Sequence, residues 1–114
     1  MRITRSYGDG SGGTRLGDVE LAEGAVPAIA LRFGPPQKLP FMDFHPAPAR
    51  GLVVALRGEF EIATTNGDRK RFRQGEWFFA DDVGTSGHTF EGFGEEQAML
   101  HCAVPDDWDG WTQV

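Results

Sequence analysis

The chain has 114 residues, enough for one hydrophobic core and too few for two. Its 39% hydrophobic and 25% charged residues suit a globular domain, and a formal charge of −6 opposes a phosphate backbone, so no nucleic-acid partner is expected. Sixteen glycines and seven prolines favour many short strands over long helices.

The opening MRITRSYGDGSGG carries two arginines and no apolar core, so it does not read as a secretory leader. Strands are predicted over Arg2–Tyr7 and Thr14–Leu21. The glycine-rich YGDGSGGT between them reads as a flexible hairpin, because a phosphate-binding loop needs a strand–loop–helix setting. A third strand, Ala28–Phe33, lies in AVPAIALRF, the longest apolar patch. Pro27 and Arg32 interrupt that patch far short of a membrane span, so no membrane partner is expected.

Further strands are predicted over Met42–His45, Leu52–Arg57 and Glu59–Thr64. LVVALRGEFEI is apolar enough for a buried helix, but its valines favour strand and Gly58 disfavours helix. In TTNGDR, Asn66-Gly67 suits the positive φ angles of a two-residue hairpin turn. The turn leads into Lys70–Phe72, and the basic run DRKRFR reads as a charged arm that discourages edge pairing. Glu76–Ala80, His88–Phe93 and Gln97–Val104 complete the strands. The tail VPDDWDGWTQV holds two of the three tryptophans, and Trp108 and Trp111 are expected to dock on the body of the protein or on a partner subunit.

Short strands separated by turn formers predict an all-β sandwich or small barrel. One domain is expected over 1–114, with N-terminal strands in 1–33, a core of about 40–105 and a tail from 105. The lone Cys102 has no disulfide partner within the chain and reads as a small core hydrophobe. A reducing, cytoplasmic compartment fits it best.

Two stretches resemble the signature motifs of the cupin family. The first family motif, G-x5-H-x-H-x3-E-x6-G, is matched in part by HPAPARGLVVALRG. His45 falls on its first histidine and Gly58 on its closing glycine, while Leu39 stands at the opening glycine. The second, G-x5-P-x-G-x2-H-x3-N, is matched loosely by GEWFFADDVGTSGHTFEG. Gly75 falls on its opening glycine and His88 on its histidine, with two extra residues between them. The run ADDVGTSGH is also similar to a subgroup of small, mostly uncharacterised cupins with an Asp-rich loop before that histidine. The resemblance covers roughly residues 40 to 105 and implies a cupin-type jelly-roll β-barrel, a small-molecule pocket inside it and a homodimer.

Three positions depart from the family pattern. The second histidine of the first motif reads Ala47, its glutamate reads Gly51, and the asparagine of the second reads Gly92. His45 and His88 alone fall short of the three or four donors a zinc or iron site needs. Asp82, Asp81 or His101 would have to supply a third. The expectation is therefore no cofactor, and the alternative is a weakly or adventitiously bound divalent metal.

Ala47 and Gly51 shorten two side chains, which enlarges the pocket. Phe44, Phe78 and Phe90 are candidates for its wall, among a larger set of phenylalanines. An unperturbed imidazole changes charge near neutral pH, so a converging His45–His88 pair suits proton transfer, with Asp82 orienting one ring. Arg50 offers a guanidinium for a carboxylate or enolate. The plainer readings are an imidazole bonded to a backbone carbonyl and an Arg50 salt bridge. Three functions remain open: a metal-free proton-transfer enzyme, a metabolite-binding sensor or carrier, and a metal-dependent dioxygenase or isomerase using His45, His88 and a nonstandard third ligand.

Overall fold

The computed structural model describes residues 1–114 and contains no helix. Nine strands are formed: β1 (Arg2–Gly8), β2 (Thr14–Leu21), β3 (Ala30–Phe33), β4 (Met42–His45), β5 (Gly51–Thr64), β6 (Arg69–Phe72), β7 (Trp77–Asp81), β8 (His88–Ala103) and β9 (Trp111–Gln113). They belong to one sheet with the path β3-β8-β5-β7-β1-β2-β9, while β4 pairs with β8 and β6 with β5. The path does not close on itself. With no helix present, none is long and apolar enough to cross a membrane.

Cross-strand partners share a face, and neighbouring rows alternate. Arg32, His101, Val53 and Phe78 form one row, and Leu31, Cys102, Leu52 and Phe79 form the next, on the opposite face. Phe78 and Phe79 are adjacent in sequence and both buried, so β7 is covered on both sides. One core gathers Val53, Ala55, Phe60, Ile62, Phe72, Phe78 and Met99. The other gathers Ile3, Val19, Leu21, Leu52 and Phe79 beneath Trp108 and Trp111. Each large side chain so buried contributes about 1.5–3 kcal/mol.

The structure corrects several sequence expectations. Leu52–Arg57 and Glu59–Thr64 are one strand, β5, because Gly58 takes a φ of 74° and absorbs a bulge opposite β8 instead of ending the strand. His88–Phe93 and Gln97–Val104 likewise fuse into β8, the partner of β5 over its length. The third strand starts at Ala30, not Ala28. At TTNGDR only Gly67 has positive φ, and Thr64 accepts from the Gly67 amide while donating to Asp68. This is a three-residue loop of the type I-plus-bulge kind, not a two-residue turn. β1 runs parallel to β7, which joins the N-terminal strands to the sheet.

The tail supplies an unanticipated strand. β9 pairs antiparallel with β2, and Phe79 meets the rings of Trp108 and Trp111 edge-on at 5.4 and 5.6 Å. Arg50 ties this tail down, donating through Nη1 to the carbonyls of Pro105, Asp106 and Trp108. The tryptophans dock on their own chain.

Candidate functional site

A cavity of about 310 Å³ opens between the two halves of β5. Val53, Phe78 and Met99 line it from one side, and Phe60, Ile62, Phe90 and Met42 from the other. Ala47 and Gly51 both line it, and a Cβ added at Gly51 would meet the backbone oxygen of Cys102 at 3.1 Å, so this glycine permits a close approach of β5 to β8. His45 and His88 meet here as direct cross-strand partners of β4 and β8. Their ring centroids are 4.7 Å apart, and Phe78 sets its ring edge-on to His88 at 5.6 Å.

Each imidazole has its Nδ1 engaged. His88 Nδ1 lies 2.6 Å from Asp82 Oδ2, and the Ala47 amide donates to the other carboxylate oxygen at 3.2 Å. Asp82 is fully buried. Burial alone would raise its pKa, but the His88 bond and charge, with the Ala47 amide, outweigh that and leave the carboxyl below its ordinary value. It therefore accepts at neutral pH, and His88 donates through Nδ1. His45 Nδ1 lies 2.7 Å from the Asp43 carbonyl, which can only accept. Both neutral rings therefore carry their proton on Nδ1 and keep a lone pair on Nε2.

The loop that carries Asp82 is fixed from behind. Thr85 Oγ1 donates to the Asp82 carbonyl, Thr14 and Thr85 hydroxyls meet at 2.7 Å, and the Gly87 amide donates to Thr14 Oγ1. Gly87 has a φ of 85°, and an added Cβ would overlap the His45 carbonyl. Only glycine lets the loop and β4 approach so closely.

Three further sequence candidates lie apart from the His45–His88 pair. Phe44 does not line the cavity and is half exposed, because a register irregularity between Met42 and His45 breaks the alternation of β4 and turns both of those side chains to the cavity. Arg50 contributes to the cavity wall, but its Nε pairs with Asp81 at 2.7 Å and its Nη1 holds the tail, so it is a structural clamp and not a free anion receptor. His101 lines the rim on the row of Val53 and Phe78, apart from the His45–His88 row. Desolvation, then the neighbouring Arg32 charge, hold its pKa below the ordinary value.

A third metal donor is not in place. Both Asp82 oxygens are engaged behind His88, and His101 lies on another row. No group of three His, Cys, Asp or Glu side chains in the chain is arranged to hold an ion.

Among the lining residues that the sequence reading did not single out, Arg32 is the charged one. Arg32 stands on β3 between Leu31 and Phe33, which face the other way. The available signal was alternation: a strand with both large apolar residues on one face presents its arginine on the other.

Comparison with family models, with curated proteins and with solved structures gave no match.

Proposed function

We propose that this chain is a small cupin whose jelly-roll pocket performs proton-transfer chemistry on a small organic molecule, of the isomerase, lyase or cyclase kind, without a tightly held metal. The observation that carries the reading is the buried Asp82–His88 pair placed beside His45 at the wall of a mainly apolar cavity. Convergence of one histidine from each motif-like stretch supports the barrel assignment.

The chemistry follows from the tautomers. A neutral His88 accepts a proton at Nε2 from substrate carbon or oxygen, and the Asp82 carboxylate stabilises the imidazolium through the Nδ1–H it already holds. His45, when it carries the second proton, delivers it from Nε2 to another substrate atom and becomes the neutral ring. Two charged rings at 4.7 Å would repel, so the working state holds one extra proton shared across the pair. Apolar walls exclude water and strengthen these interactions.

Deuterium incorporation from D2O into a panel of small carbonyl compounds and hydroxy acids, read by mass spectrometry, tests this. Incorporation that His88→Gln and His45→Gln each abolish is expected. Incorporation that survives both substitutions contradicts the reading.

We also propose that the protein works as a homodimer in the cytoplasm. β3 ends the strand path and exposes Leu31 by 58% and Phe33 by 74%. Such an edge is a template for pairing, and a second copy joined β3 to β3 about a two-fold axis covers it. The unpaired Cys102 suits a reducing compartment.

A further inference from the structure

The chain carries seventeen acidic residues against eleven basic ones, yet no Asp or Glu lines the cavity. Its charged lining is confined to Arg32 and Arg50, beside the three histidines. Arg50 is engaged by Asp81, which also pairs with Arg5, and the tail carbonyls take its Nη1. Arg32 forms no ion pair within the chain and stands beside His101 at the rim. The wall leading inward from that row is Val53, Phe78 and Met99. An open guanidinium above an apolar chamber selects an amphipathic anion, because guanidinium matches carboxylate geometry and the chamber offers an organic body a dry seat.

We infer that the cavity takes a small monocarboxylate with an apolar body, its carboxylate at Arg32 beside His101 and its body against Val53, Phe78 and Met99. The cavity volume, at the small end of the range of about 300–1,000 Å³ for ligand pockets, excludes bulky lipids and polymers. The absence of wall carboxylates disfavours amines and other cations. This inference deepens the proton-transfer reading by naming its substrate class, and it stands on Arg32, which the acid–base step does not use.

Calorimetric titration of octanoate, 3-phenylpropanoate and indole-3-acetate, each against its neutral amide, tests it. At least one acid is expected to bind saturably and about tenfold more tightly than its amide, and Arg32→Gln to remove about that factor while Arg32→Lys retains part of it. Arg32 is exposed, so these variants are expected to fold as the parent does. Equal binding of acids and amides, indifference to Arg32→Gln, or no saturable binding by any of the three acids overturns the inference. A companion titration of His88→Gln separates the two proposals: acid binding that persists there without deuterium exchange in the parent supports the anion site and rejects the proton-transfer step.

Discussion

His45 and His88 are cross-strand partners whose rings stand 4.7 Å apart, and each uses Nδ1 on a fixed oxygen acceptor. Neither Nε2 forms a hydrogen bond to the protein in this arrangement. On the proposed reading, this pair exchanges protons with the molecule that enters the cavity.

Replacing Asp82 with Asn leaves one oxygen where two N–H groups, from His88 and Ala47, now find one each. If the oxygen stays with Ala47, the amide NH2 faces His88 and either leaves its Nδ1–H unpaired or forces the ring into the Nε2–H tautomer. The loss expected is about 1–3 kcal/mol in urea unfolding at neutral pH.

The same residue sets a pH dependence. Its folded pKa lies below the ordinary value, so the unfolded chain binds more protons between the two values. The stabilisation is complete above about pH 4 and is lost as pH falls through the folded value. The difference in unfolding free energy between the parent and Asp82→Asn is expected to shrink on acidification through that window. A difference that stays constant from pH 7 to pH 2 contradicts the assignment.

Much of this site was legible in the sequence. His45 and His88 were singled out from the two motif-like stretches, and Asp82 from the acidic loop before His88. Ala47 and Gly51 were singled out in the sequence as small residues, and both line the cavity. What stayed hidden was set by tertiary partners. Nothing local marks WTQ as a strand, because β9 exists only through β2 and the Trp packing on Phe79. Arg50 offers the same guanidinium to a ligand or to three carbonyls, and only the fold places the tail beside it. Gly58 carries a breaker signal that a bulge satisfies as well as a strand end.

Gly87→Ala tests the close approach of the loop to β4. A Cβ there meets the His45 carbonyl at a backbone conformation unfavourable to L side chains. Destabilisation of about 1–3 kcal/mol is expected, with shifted His45 ring resonances. Normal stability with unchanged spectra would show that the contact is not tight.

Arg50→Ala strands the partly buried Asp81 with only Arg5 and frees three tail carbonyls. A loss of about 3 kcal/mol is expected, with a red shift of tryptophan emission as Trp108 and Trp111 leave Phe79. Unshifted emission contradicts the clamp.

Pairing of β3 edges is checked by light scattering. The parent is expected to be dimeric, and Leu31→Glu with Phe33→Glu monomeric with the cavity intact. A monomeric parent at high concentration removes the dimer from the account.

The most direct measurement is nitrogen-15 NMR of the imidazoles across pH, with and without a ligand shown to occupy the cavity. Both His45 and His88 are expected to show protonated Nδ1 and lone-pair Nε2 in the neutral form, and both Nε2 signals are expected to move when the ligand binds. Nε2–H tautomers, or rings that ignore an occupied cavity, would contradict the claim that these two residues form its chemical centre.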